Sequence, residues 1–96
     1  MVDALDERQI RAELAELPGW THDHHRLTKT YTFGGFAEAI SFIVRLAFEA
    51  ETQNHHPDLH NVYNRVEIAL STHEAGDRVT ERDIRLARAI EGIHPG

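Results

Sequence analysis

Within seven residues, Glu51-Thr52-Gln53-Asn54-His55-His56-Pro57, the chain sets a carboxylate, an amide and two adjacent imidazoles at the end of an apolar run. A third imidazole follows in Ser71-Thr72-His73-Glu74. Histidine is the side chain best matched to proton transfer near neutral pH. Two or three imidazoles around one small pocket, with a carboxylate to bias tautomer and charge, form a general acid–base site. The competing chemistry is metal binding. Zinc accepts imidazole and carboxylate ligands, and Glu51 with His55, and His56 with His60, are each four apart. Against it, Pro57 prevents one helix from displaying both pairs, and the rings of adjacent histidines diverge. A His-rich binding module stays open beside an acid–base enzyme. Ser41 and Ser71 carry no nucleophile elbow, and Gly34-Gly35 alone makes no phosphate-cradling loop.

Composition narrows the classes. The 96 residues suffice for one compact domain, residues 1–96, with a single core. A formal net charge of -6 argues against nucleic acid as a direct partner, because phosphate binding needs a basic face. The absence of cysteine removes disulfides, thiolate metal sites and cysteine nucleophiles, and fits a cytoplasmic protein. No apolar run reaches the ~18–20 residues of a membrane span. The acidic start Met1-Val2-Asp3-Ala4-Leu5-Asp6 lacks the basic-then-apolar order of a signal peptide. Histidine, at eight residues, is the compositional anomaly, and His22, His24 and His25 read as solvated surface with no further ligand nearby.

The surrounding elements must bring His73 back to His55 and His56. Asp6 with Gln9 makes a capping box, and Ile10, Leu14 and Leu17 recur at helical spacing until Pro18-Gly19. Two strands follow, from Trp20 to His24 and from Leu27 to Phe33, around a turn at His25-Arg26. The second alternates Leu27, Lys29, Tyr31 and Phe33 on one side. A helix then runs from Phe36 to about Asn54. Its polar residues Glu38, Ser41, Arg45 and Glu49 form one narrow stripe, and nearly everything else is apolar. Such surplus fits either a central core helix or a helix with a subunit interface on its second face. We take the second, since a domain this small can hardly surround a helix. Leu59 to Thr72 reads as a hairpin turning near Tyr63-Asn64, with Val66, Ile68 and Leu70 facing the core and His73 on the other side. Its open end gathers His55, His56 and His73. A loop, Glu74 to Val79, leads to a last helix capped by Thr80 and Asp83 and ended by Gly92, Pro95 and Gly96. The order α-β-β-α-β-β-α predicts an α+β fold, a four-stranded antiparallel sheet with helices packed on one face.

The pattern Glu51-x-x-x-His55-His56-Pro57, with Tyr63 after five residues, His73 nine further on and Asp83 beyond, resembles the signature of the pterin-4a-carbinolamine dehydratases. Asn61-Val62-Tyr63-Asn64, Leu70-Ser71-Thr72-His73-Glu74, Glu81-Arg82-Asp83 and Gly19-Trp20 are similar as well, so the resemblance covers nearly the whole chain. It implies dehydration of a 4a-hydroxytetrahydropterin to quinonoid dihydropterin in tetrahydrobiopterin recycling, with no cofactor and no metal. His55, His56 and His73 would be the catalytic imidazoles, His55 and His73 for proton transfer and His56 for holding the pterin. Glu51, Asn54, Ser71, Thr72 and Glu74 would join them in binding substrate, with Glu51 orienting an imidazole or meeting the ring's polar edge. Trp20 would wall the pocket or pack in the core, and Asp83 would cap its helix. Asn54 stands where animal members carry Asp, and the Glu74–Val79 loop is longer than theirs, so substrate preference stays open. Animal members also serve as dimerisation cofactor of a homeodomain transcription factor. The resemblance therefore carries a second expectation, a homodimer or homotetramer whose Phe36–Asn54 helix is a binding face.

Overall fold

A computed structural model describes residues 2–94 of the chain. The elements are α1 (Glu7–Leu14), β1 (Thr21–Asp23), β2 (Arg26–Thr32), α2 (Phe36–Gln53), β3 (Asp58–Val62), β4 (Arg65–Leu70), a single 3-10 turn (His73–Ala75) and α3 (Glu81–Ile93). The predicted α+β order holds. Pro95 and Gly96, read from the sequence as part of the final helix stop, lie outside the described residues.

The four strands form one antiparallel sheet in the order β1-β2-β4-β3. Period-two alternation sends Leu27, Lys29 and Tyr31 of β2, and Val66, Ile68 and Leu70 of β4, to the same buried face. Leu27 stands opposite Leu70 and Tyr31 opposite Val66, which locks that register. Against this face pack α2, through Ala39, Phe42, Leu46 and Ala50, and α3, through Ile84, Leu86, Ala87 and Ile90. Phe42 closes an aromatic cluster with Tyr31 and Phe33, its ring centroid 4.8 Å and 5.0 Å from theirs. Only one stripe of α2 is used in this way. Phe36, Ile40, Val44 and Phe48, spaced by four, stay exposed on its other side, Phe48 at 71%. The surplus apolar face read from the sequence is therefore real.

Both predicted capping boxes form. The Asp6 carboxylate accepts from Gln9 N–H at 2.8 Å while Gln9 Oε1 accepts from Asp6 N–H at 2.9 Å. Thr80 and Asp83 make the second box. Three local expectations are corrected. First, α1 ends at Leu14, and Leu17 reaches the core from the turn that follows, where Leu17 N–H bonds the Leu14 carbonyl. Second, Trp20 precedes β1. Third, the first hairpin turns at His24-His25, with φ of 51° and 65°, and not at His25-Arg26. Two-residue loops between right-twisted strands favour the primed turns, of which type I′ has positive φ at both positions, so the two histidines accept a backbone that asparagine and glycine usually take. His24, expected at the end of the first strand, thus belongs to the turn.

Trp20 is core, not pocket wall. Its indole N–H donates to Glu91 Oε2 at 3.1 Å, and the same oxygen receives Lys29 Nζ at 2.6 Å and the Tyr31 hydroxyl. Lys29 also donates to the Pro18 carbonyl at 2.8 Å. The buried Lys29 charge is tolerable because it is paired with Glu91 and two of its three N–H donors meet oxygens. Burial and the Glu91 carboxylate push the Tyr31 phenol well above its ordinary range. Burial alone would raise the Glu91 carboxyl, but donation from Lys29, Tyr31 and Trp20, with the Lys29 charge, brings it below the usual carboxylate value.

Candidate active site

The site begins where α2 stops. Asn54 takes a left-handed backbone, φ 50° and ψ 44°, a conformation asparagine tolerates better than most residues. The reversal is a Schellman motif: Asn54 N–H bonds the Glu51 carbonyl at 3.2 Å and His55 N–H the Ala50 carbonyl at 3.1 Å. The Ala50 and Glu51 carbonyls of α2 are satisfied and His55 is fixed two residues past Gln53, the last of the helix. Pairing of Asp58 with Ala69 then sets the start of β3 against the end of β4, which returns Ser71 and His73 to His55 and His56. Gly76, with φ 75°, turns the chain again after the 3-10 turn, and Thr72 N–H bonds the Arg78 carbonyl at 2.8 Å.

Asn54, His55, His56, Ser71, His73, Glu74 and Arg82 line one open, polar cavity of about 340 Å³. Six of the eight residues expected at the site therefore meet there. The two others do not line it. Thr72 is fully buried, with its hydroxyl turned to Asp83 at 2.9 Å. Glu51 is exposed and engages His56 Nε2 at 2.5 Å. The helix ends too early for the i, i+4 pair with His55, and the left-handed Asn54 swings His56 back to Glu51 instead.

The three imidazoles sit in different surroundings. His55 is 8% exposed, and its Nε2 lies 2.6 Å from Asp83 Oδ1. His56 is exposed, with its carboxylate partner on the preceding helix. His73 is solvated, its side chain 91% exposed and its Nδ1 3.2 Å from Asp77 Oδ1. His55 is thus buried where it lines the cavity, while His56 and His73 open to solvent.

Asp83 caps α3 as predicted, its Oδ2 accepting Thr80 N–H at 2.8 Å, and its other oxygen faces His55. That second contact was missed. The capping box was visible in the sequence, and a cap carboxylate has one oxygen to spare, but nothing local signalled which group would come to it. Arg82 was missed too. Its guanidinium lies 3.7 Å from Glu74 on the cavity rim, where it can meet an anionic or carbonyl edge. Among the described residues, no three His, Asp or Glu side chains converge as a metal site requires. His22 and His25 border a separate cavity with Asp6, Glu7 and Arg78. Trp20 lines neither.

A cavity with one carboxylate-backed buried imidazole, one exposed carboxylate-paired imidazole and one solvated imidazole can deliver a proton at one point and accept one at another. Comparison with known proteins identifies a family. The sequence pattern of the family described as pterin 4 alpha carbinolamine dehydratase matches residues 3–93. A chain of Opitutus terrae, provisionally named a pterin-4-alpha-carbinolamine dehydratase, is 52% identical over 93 residues, which is 97% of this chain and 96% of the relative. The crystal structure of a transcriptional coactivator/pterin dehydratase from Brucella melitensis superposes with a TM-score of 0.90 at 35% identity, covering 95% of this chain and 98% of that one. A pterin dehydratase-like protein, identified as a RuBisCO assembly factor in the alpha-carboxysome, shares the fold alone, at a TM-score of 0.64 and 22% identity over 80% of this chain and 88% of that one. With the match running from the first helix to the last and the expected histidines on one cavity, the chain belongs to the pterin 4 alpha carbinolamine dehydratase family.

Proposed function

We propose that the protein dehydrates 4a-hydroxytetrahydropterin to quinonoid dihydropterin by histidine acid–base catalysis. The observation that supports this most directly is the convergence of His55, His56 and His73 on a single cavity. The reaction needs two proton movements. The C4a–oxygen bond breaks as the departing hydroxyl receives a proton and leaves as water. The proton on N5 is removed, and its electron pair becomes the N5–C4a double bond. No electron leaves the pterin, so no oxidant enters the balance. His55 and His73 carry the two proton transfers, and His56, steadied by Glu51, holds the pterin. Asn54, Ser71, Glu74 and Arg82 offer hydrogen bonds to its amide edge. The setting is tetrahydrobiopterin recycling in the cytoplasm, in line with a chain that has no cysteine and, among the described residues, no helix long and apolar enough to cross a membrane. The test is a dehydratase assay on purified protein with a 4a-hydroxytetrahydropterin. Loss of the 4a-hydroxy species no faster than in buffer would overturn the proposal.

A second role rests on the exposed α2 stripe of Phe36, Ile40, Val44 and Phe48. A contiguous apolar face of this kind marks a protein contact. We assign it first to self-association as a homodimer or homotetramer. The coactivator half of the Brucella melitensis protein's name makes a heterologous partner the alternative occupant. A pull-down that fails when this face is charged and the histidines are intact separates that role from the enzyme.

A further inference from the structure

We infer that Thr72 and Thr80 are positioning residues: their hydroxyls run a one-way hydrogen-bond chain into Asp83 that holds the His55 proton on Nε2 and leaves Nδ1 as the proton-accepting atom of the site. The kinetic consequence rests on the dehydratase reading above; the tautomer does not.

The direction of the chain follows from counting protons. Thr80 Oγ1 is an acceptor in the cap of α3, taking the backbone N–H of Arg82 at 3.2 Å and that of Asp83 in the capping box. A hydroxyl has one proton to give, and that of Thr80 goes to Thr72 Oγ1, 2.6 Å away. Thr72 is then the acceptor in that bond and donates its own proton to Asp83 Oδ2 at 2.9 Å. Oδ2 also receives Thr80 N–H at 2.8 Å. With two donors aimed at it, Oδ2 has no room for a proton of its own. A carboxylate is the form of Asp83 that both donors stabilise, and its Oδ1 then takes the Nε2 proton of His55 at 2.6 Å. No hydrogen bond among the described residues engages His55 Nδ1, so that nitrogen is the one left for the cavity His55 lines.

A helix cap does not account for this arrangement. The capping box needs only Thr80 and Asp83. Thr72 arrives from beyond the end of β4, and Asp83 Oδ1 takes no part in the cap. Thr72, Thr80 and Asp83 are all fully buried, where each bond polarises the next and water does not compete. Under the dehydratase reading, His55 is accordingly the base that takes the N5 proton, and solvated His73 supplies the proton to the departing hydroxyl.

The experiment uses full-length 15N-labelled protein. Long-range 15N–1H spectra of the His55 ring, recorded where the imidazole is neutral, report which nitrogen carries hydrogen. The same samples give kcat and KM with a 4a-hydroxytetrahydropterin, and melting temperatures. Wild type is expected to show Nε2–H and bare Nδ1. Thr72→Val is expected to mix the tautomers and lower kcat roughly 10-fold, the lower worth of one hydrogen bond to a charged group, with KM unchanged. Thr72→Ser, which keeps the hydroxyl, should restore both. Wild type with its proton on Nδ1 overturns the inference without any variant, even if Thr72→Val fails to fold. So does a folded Thr72→Val with wild-type spectrum and kcat. Wild type that shows Nε2–H yet dehydrates no pterin supports the positioning and overturns the dehydratase reading instead.

Discussion

His55 Nε2 stands 2.6 Å from Asp83 Oδ1, and the two residues, 28 apart in the chain, are both buried. One carboxylate thus serves as helix cap with one oxygen and as imidazole partner with the other. Asn in its place could keep the cap by presenting its carbonyl oxygen to Thr80 N–H, but would then point an NH₂ at Nε2. That reverses the donor–acceptor sense and favours the wrong tautomer. Asp83→Asn should therefore fold and lose turnover by roughly 100-fold or more, as expected when an acid–base group is disabled. Wild-type turnover in a folded Asp83→Asn would sink the assignment; steady-state kinetics with circular dichroism decide it.

His55 and His73 should separate in stability where they agree in activity. Each replacement by Ala is expected to cut turnover by ~10²–10⁴-fold. The double variant should lose less than the product, because groups that act as a unit are non-additive. His73 is solvated, so His73→Ala should change stability by no more than about 0.5 kcal/mol. His55→Ala strips a buried carboxylate of its partner and should cost about 3 kcal/mol. Urea unfolding and turnover on the three variants test this, with exposed His24→Ala as control. A control as damaging as His73→Ala would show that the site lies elsewhere.

Much of this was legible in the sequence because it is local. Caps are read from a donor and acceptor three residues apart, and Asp6–Gln9 and Thr80–Asp83 both formed. The alternation of Val66, Ile68 and Leu70 set the hairpin's inner face, and with it the return of His73 to His55 and His56. What escaped depends on distance through space. Trp20 was torn between pocket and core because its acceptor, Glu91, lies 71 residues away. Helical spacing pairs Glu51 with His55, and one left-handed residue, Asn54, gives it to His56 instead. The His24-His25 turn was misplaced by one position because neither histidine advertises positive φ. Thr72 was placed at the substrate by family pattern, and the fold turned it inward to Asp83.

Turnover should survive exhaustive chelation. His55 and His56 each commit Nε2 to a carboxylate, Asp83 and Glu51, and among the described residues no third ligand completes a metal site. Protein treated with a chelator and checked for residual metal should dehydrate pterin at the untreated rate. Activity that disappears and returns with stoichiometric zinc would contradict this.

The Lys29–Tyr31–Trp20–Glu91 cluster should shape stability at both ends of the pH scale. The folded state lowers the Glu91 carboxyl below its ordinary 4.5, since donors and the Lys29 charge outweigh burial. Its contribution is therefore complete above about 4.5 and fades as acid carries the pH down through the folded value. The folded state raises the Tyr31 phenol above its ordinary 10.0, through burial and Glu91. That contribution is complete below about 10 and is lost as the pH rises beyond it. Glu91→Gln should lose about 3 kcal/mol at neutral pH, the cost of breaking a buried pair, and show a shallower acid limb. Urea midpoints between pH 3 and pH 11 are the measurement. A Glu91→Gln limb as steep as that of wild type would assign the acid transition to other carboxylates.

The apolar stripe on α2 makes the last prediction. Phe36, Ile40, Val44 and Phe48 lie on one face, at 50%, 37%, 50% and 71% exposure, while the opposite stripe of Ala39, Phe42, Leu46 and Ala50 fills the core. A helix supports one such face by packing inside its own domain and needs a second body for the other. The same face on an identical chain is self-complementary about a two-fold axis, and β3 leaves a sheet edge open for a second contact. Wild type should therefore sediment well above its 11.0 kDa monomer at micromolar concentration. Val44→Lys with Phe48→Lys removes two apolar anchors, each worth about 1.5–3 kcal/mol when fully buried, so association should weaken by at least roughly 100-fold. Neither residue lines the histidine cavity or the core, and the double variant should melt as a folded unit. A wild-type monomer, or a double variant that sediments unchanged, would remove α2 as the contact.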